Sequence, residues 1–157
     1  MCLNPIRLVL LRHGQSIWNG ENRFTGWTDV PLSRKGKNEI LLSSQWIMDS
    51  GIRFDYAYAS VLSRTIQSIN IITDETNHHH IPVIKSWRLN EKHYGQLQGL
   101  NKDEMINKFG FEKVLLWTSS YRKCPPPISW EDERNPHREE KYKCLIKEMI
   151  PLTEVLL

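Results

Sequence analysis

Leu8-Val9-Leu10-Leu11 runs directly into Arg12-His13-Gly14-Gln15-Ser16, and this junction has the residue types to hold a phosphate or carboxylate beside a nucleophile or general base. An arginine offers a fixed fork of donors that fits a phosphate or a carboxylate. The neighbouring imidazole of His13 can serve as nucleophile or general base near neutral pH. Gly14 carries no Cβ, so backbone or a bulky oxyanion can come close. Taken alone, five such residues fit a solvated strand end equally well. A second cluster lies at Trp87-Arg88-Leu89-Asn90-Glu91-Lys92-His93-Tyr94-Gly95, followed by Gly99-Leu100-Asn101-Lys102. It gathers a carboxylate, two lysines and a phenol, a mixture suited to acid–base work beside an anion; a charged surface loop is the plainer alternative.

The elements that must position these groups follow from pattern. Leu8 to Leu11 has the length and composition of a strand buried on both faces, and an open α/β sheet places its ligands beyond the carboxyl ends of such strands. Ile17 to Thr28 reads as an irregular loop, rich enough in polar and aromatic side chains to line a site. Ser33 is a good N-cap for a helix ending near Gly51, with Ile40, Leu41, Leu42, Trp46 and Ile47 on its apolar face and Gly36 an awkward residue near its start. Phe54 to Ser60 reads as a second strand and Ile81 to Ile84 as a third. Between them lies a helix with Ile66, Ile69 and Ile72 along one side. Arg64 falls in the first turn of that helix, where a cation opposes the dipole unless an anion lies nearby. His78-His79-His80 reads as a solvated loop, since three adjacent histidines do not readily face one metal. Lys102 to Tyr121 reads as one helix, ended by the extended Pro125-Pro126-Pro127, and the densely charged Trp130 to Lys143 as a surface excursion. Thr153 reads as the N-cap of a helix of which the chain holds one turn, too short to be stable by itself.

Composition narrows the class. The 157 residues, 39% hydrophobic and 25% charged, describe one globular domain with no internal repeat, spanning 1–157. A net charge of +3 suits an anionic small molecule and does not call for nucleic acid. Cys2, Cys124 and Cys144 are odd in number and scattered, which argues against a disulfide framework or a zinc site and for a reducing, cytoplasmic compartment. Met1 to Pro5 lacks the start of a signal peptide, and no segment has transmembrane length.

Four motifs in order resemble one family. They are Leu10-Leu11-Arg12-His13-Gly14-Gln15-Ser16, Glu21 to Asp29, Tyr58 to Arg64, and Trp87 to Gly95 with Leu97 to Lys102. Together they are similar to the 2,3-bisphosphoglycerate-dependent phosphoglycerate mutases of the histidine phosphatase superfamily. The resemblance runs from Ile6 to the last residue. It implies an α/β fold, a three-layer α/β/α arrangement around a mostly parallel sheet, lacking its C-terminal part. The implied reaction interconverts 3-phosphoglycerate and 2-phosphoglycerate in glycolysis and gluconeogenesis through a phosphohistidine, primed by 2,3-bisphosphoglycerate and without metal. In this reading His13 takes the phosphoryl group and Glu91 handles the substrate hydroxyl proton. Arg12 and Arg64 surround the phosphate, with Asn19 beside them. Gly14, Gln15, Ser16, Thr25, Gly26, Lys92, His93, Tyr94 and Lys102 fall at substrate-contact positions. The implied partner is a small phosphorylated substrate, with no nucleic acid and no membrane; a homodimer is compatible with the family.

The departures are as informative. Thr118 and Ser119 stand where the family has two adjacent arginines that hold the substrate, a loss of several kcal/mol at roughly 1.5–3 per charged hydrogen bond. Lys92 replaces an arginine, a point charge for a planar fork. Ser16 stands where the related bisphosphoglycerate synthases tend to carry glycine, which favours a mutase. The family's second histidine motif, His-Gly-Asn-Ser, and its strand have no counterpart in the chain. The resemblance thus implies a truncated mutase with weak or no turnover, against two alternatives: a phosphohydrolase of the same superfamily, and a non-catalytic remnant.

Overall fold

Ser33 fixes where the longest helix begins. In the computed structural model, which describes residues 6–154, its hydroxyl accepts the Gly36 amide at 3.0 Å and caps α2 (Arg34–Asp49). Such a cap contributes about 1 kcal/mol. Ile40 and Ile47, two turns apart, face inward and pack with Leu32 and with Ile72 of the helix that lies alongside. Leu42 and Trp46, expected on the same face, are 73% and 64% exposed, because the apolar stripe is wider than the strip that one neighbouring helix covers.

The neighbour is α3 (Ser63–Glu75), which links two parallel strands, β1 (Ala57–Ala59) and β2 (Val83–Lys85). Ala57 pairs with Val83, Tyr58 with Ile84 and Ala59 with Lys85. The unit is the β–α–β arrangement that the alternating pattern predicts, with the ladder prolonged by Ala57 N–H donating to Pro82 and Ser86 N–H to Ala59. The wider sheet is not present among the described residues. Leu8 to Leu11 forms no strand there, and Leu8 and Leu10 are 79% and 86% exposed. A strand buried on both faces needs a ladder partner and two covering layers, and nothing described lies beside it to supply either.

Several other expectations are corrected. Ser16 and Asn19 form a reciprocal capping box, so the expected loop opens with a short helix, α1 (Ile17–Gly20). The single helix expected over Lys102 to Tyr121 is two, α4 (Lys102–Phe109) and α5 (Phe111–Ser119). Gly110, at φ 84°, is in a conformation that breaks the helical ladder between them. Asn101 caps α4 by accepting from Asp103 and Glu104, whose carboxylates also suit that helix end. These helices close a second core of Phe24, Leu97, Met105 and Val114. His78 is buried rather than solvated: its ring accepts from Phe54 N–H and bonds to the Thr76 hydroxyl. The charged stretch from Trp130 to Lys143 is not a mere excursion, because Asn135, Pro136 and Tyr142 anchor it inside while its charges point outward or into ion pairs. Thr153 caps nothing described; its hydroxyl donates to Pro125 O while Ile128 N–H donates to Leu152 O. The rest of the helix expected there, like Cys2 and the N-terminal five residues, lies outside the described residues.

Candidate active site

Arg64 is the centre of the site. It sits in the first turn of α3 and is 1% exposed. Its Nε donates to His13 Nε2 at 3.3 Å, Nη1 to Thr28 O at 3.1 Å, and Nη2 to both Gly26 O at 2.7 Å and Glu91 Oε2 at 3.0 Å. The cation that should oppose the helix dipole is thus offset by a carboxylate and two carbonyls from the loop before it and the turn after β2. Burial pushes the guanidinium pKa down and Glu91 and Asp29 push it back. A guanidinium stays charged throughout the accessible pH range.

These contacts fix the tautomer of His13. A guanidinium N–H can only donate, so Nε2 must accept and present a lone pair toward Arg64. The ring proton is therefore on Nδ1, which donates to Gly14 O at 2.7 Å. Burial is the largest influence on this ring and lowers its pKa, with Arg64 and Arg12 acting in the same direction against the Gly14 carbonyl and Glu91. The result is a neutral imidazole with its Nε2 lone pair aimed at a buried cation, the form a nucleophile must have at neutral pH.

The glycines serve different ends. Gly26, at φ 58°, bends the loop so that its carbonyl reaches Arg64, and a Cβ there would lie 2.5 Å from Gln98 Oε1. Gly14 makes room for backbone: a Cβ there would lie 2.1 Å from Gly36 O, and one on Gly36 would lie 2.0 Å from Gln15 O. The two glycines let the start of α2 rest directly on the histidine turn, so the awkward Gly36 is a packing requirement.

Of the candidate residues, the structure brings His13, Arg64, Glu91 and Gly26 together, with Thr25 next to Gly26 in the chain. Arg12 is exposed beside them and acts on both the His13 and Tyr94 charges. Burial and the adjacent Glu91 hold the Tyr94 phenol protonated well above its usual range. The Thr25 hydroxyl is buried and has no partner among the described residues. Lys102 lies with Phe24, Tyr94 and Thr118 around a cavity of about 210 Å³.

Other candidates have structural tasks. Gln15 is held by Ser33 and Glu39, and Ser16 and Asn19 cap α1. The Lys92 ammonium donates to Trp117 O at 2.7 Å, and burial lowers its pKa. The Thr118 and Ser119 hydroxyls both bond back to their own helix. His93 is fully buried, its Nδ1 accepting Gly95 N–H, and burial lowers its pKa to about 4, with Arg134 adding to the effect. Lys141 and Tyr142 had no signal in the motifs, and Asp29, which ends the second motif, had no role assigned there. Asp29 accepts from Ser63 N–H at the head of α3, Lys141 pairs with Asp29, and the Tyr142 phenol accepts from Asn90 next to Glu91.

Comparison with known proteins shows the family. The family model of the histidine phosphatase superfamily, branch 1, matches residues 8–147. The chain is 50% identical over 149 residues to a protein of Parabacteroides distasonis named 2,3-bisphosphoglycerate-dependent phosphoglycerate mutase, covering 95% of this chain and 60% of that one. It is 49% identical over 150 residues to a protein of the same name from Porphyromonas gingivalis, covering 96% and 60%. Among solved structures, the phosphoglycerate mutase of Bacillus anthracis str. Sterne superposes with a TM-score of 0.59 at 27% identity, over 65% of this chain and 44% of that one. The chain spans about 60% of the length of these curated relatives. The neutral histidine beside a buried arginine and a carboxylate thus stands in a chain that belongs to the histidine phosphatase superfamily.

Proposed function

We propose that the chain carries the phosphoryl-accepting half of a 2,3-bisphosphoglycerate-dependent phosphoglycerate mutase. The observation that carries this reading is the Arg64 hub, which holds an unprotonated His13 Nε2 and the Glu91 carboxylate on one guanidinium. Nε2 gives up the Arg64 Nε–H to an incoming phosphoryl oxygen and attacks the phosphorus of a phosphate ester; the ester P–O bond breaks, and the departing alcohol oxygen takes a proton from water relayed through the Glu91 carboxylate. Charge on the transferring phosphoryl oxygens falls to Arg64 and Arg12, since positioning and electrostatic stabilisation supply most of the rate in such transfers. The Thr25 hydroxyl, without a partner among the described residues, and the ammonium of Lys102 suit the remaining anionic groups of a phosphoglycerate.

A second reading, hydrolysis of phosphate esters by the same histidine, is favoured by the state of the C-terminal end of α5. There Lys92 is committed to a helix carbonyl and Thr118 and Ser119 to their own helix, which leaves few cations for a second anionic group. One experiment tests both. Intact-mass analysis after incubation with 2,3-bisphosphoglycerate should give an acid-labile phosphoryl adduct that His13→Ala lacks. Added 3-phosphoglycerate should discharge it to 2-phosphoglycerate under the first reading, and water alone should discharge it under the second. No adduct from folded protein contradicts both.

A further inference from the structure

Arg64 lies on α3 and is aimed by the loop at Thr28, yet α3 begins without a side-chain cap of its own, since its N-cap residue is Leu62. The missing acceptor comes from across the chain: Asp29 Oδ1 takes the Ser63 N–H at 2.6 Å. Asp29 therefore ties the loop whose carbonyls hold the guanidinium to the residue immediately before Arg64. Its second oxygen, Oδ2, receives the ammonium of Lys141 at 2.5 Å, and Lys141 also pairs with Glu139 at 2.8 Å. Lys141 and Asp29 are 23% and 27% exposed, so water screens this pair less than it would an open surface pair. Burial alone would raise the Asp29 carboxyl; hydrogen bonds from Lys141 and Ser63 outweigh it and hold the group below the usual carboxylate range. Lys141 has a rigid base, because Tyr142 is almost fully buried, packs at a tilt against Trp27 with ring centroids 5.0 Å apart, and takes a hydrogen bond from Asn90.

We infer that Lys141 is a positioning residue: by fixing Asp29 it holds the head of α3 and so keeps Arg64 on His13 Nε2. This rests on the reading of His13 as the phosphoryl acceptor, but the contact itself can be tested apart from activity. The measurement is the exchange rate of the Arg64 Nε–H and the shift of His13 Nε2, by NMR on chain labelled with 15N in arginine and histidine. It compares wild type with Lys141→Met, Lys141→Arg and Asp29→Asn. In Lys141→Met the Arg64 Nε–H should exchange at least tenfold faster and His13 Nε2 should move toward the value of a ring without that donor. Lys141→Arg should restore both, and the Lys141→Met/Asp29→Asn pair should be no worse than Lys141→Met alone. The maximal rate of adduct formation with 2,3-bisphosphoglycerate should fall about tenfold, with little change in the half-saturating concentration. If Lys141→Met proves too unstable to assay, Asp29→Asn carries the test, because it keeps an oxygen for Ser63 while losing the charge that Lys141 holds. Wild-type exchange and shifts in the charge-removed variants would overturn the inference. Absence of an adduct from wild type would instead overturn the phosphoryl-acceptor reading and leave the exchange result to judge Lys141.

Discussion

Gly14→Ala should unsettle the whole histidine turn, although it adds a single methyl group. The new Cβ would meet Gly36 O at 2.1 Å, Gly36 C at 2.7 Å and Gly36 Cα at 3.0 Å, all backbone atoms. Ordinary contact requires more than an ångström of separation beyond this, and no rotamer change can supply it. The first turn of α2 must move away from Gly14. That turn is tied to the neighbouring residue by Ser33 N–H to Gln15 O at 2.9 Å, Ser33 Oγ to Gln15 Oε1 at 2.9 Å and Gln15 N–H to Glu39 Oε2 at 2.8 Å. Losing two or three of these at about 1 kcal/mol each, with overpacking adding about 1–3 kcal/mol, predicts a destabilisation of roughly 3–6 kcal/mol. Gly20→Ala is the control, because its Cβ would meet only Gln15 Oε1, at an ordinary 3.5 Å, and it should leave stability within about 1 kcal/mol of wild type. Urea unfolding followed by circular dichroism separates the two through their midpoints. A Gly14→Ala chain as stable as Gly20→Ala would refute the argument that the two glycines exist for backbone contact.

Two further outcomes follow from the buried groups. Arg64→Lys keeps a charge but cannot span four acceptors, so it should cost about 3 kcal/mol in urea unfolding and slow adduct formation roughly a hundredfold, read by quenched-flow mass analysis. Stability should also fall on acidification. His93 has a folded pKa of about 4 against an ordinary 6.5, so the unfolded chain binds more protons between those values. Its contribution is complete above pH 6.5 and is lost toward pH 4, up to about 3 kcal/mol, with His13 acting in the same direction. Glu154, whose carboxyl burial raises, works in the opposite direction, so the comparison is between wild type and His93→Gln. Urea midpoints across pH 4 to 7 should show a flatter slope for the variant, and parallel slopes would contradict the buried-histidine account.

Local features of the chain were legible in its sequence because they depend on neighbours a few residues away. The Ser33 cap, the two strands on either side of α3 and the placing of Arg64 in a first turn are of this kind, and the structure shows each. The anion that Arg64 requires was legible only as a condition; that Glu91 meets it depends on tertiary structure. Leu8 to Leu11 reads as buried because its composition is that of a covered strand, but composition cannot state whether a ladder partner is at hand. Gly14 reads as room for backbone or an oxyanion without saying which, and the backbone of Gly36 takes that room, a contact between residues with no shared motif. Lys141 stands 112 residues from Asp29, inside a charged stretch whose pattern matches a solvated surface, and only the burial of Tyr142 beside it reveals the difference.

The central claim is that His13 presents Nε2, with its proton held on Nδ1 by Gly14 O. The direct measurement is the position of the phosphoryl group on the ring after reaction with 2,3-bisphosphoglycerate. It is read by 31P and 15N NMR of histidine-labelled protein kept at alkaline pH. Phosphorus bonded to His13 Nε2 is the predicted result; phosphorus on Nδ1, or on another residue, would contradict it.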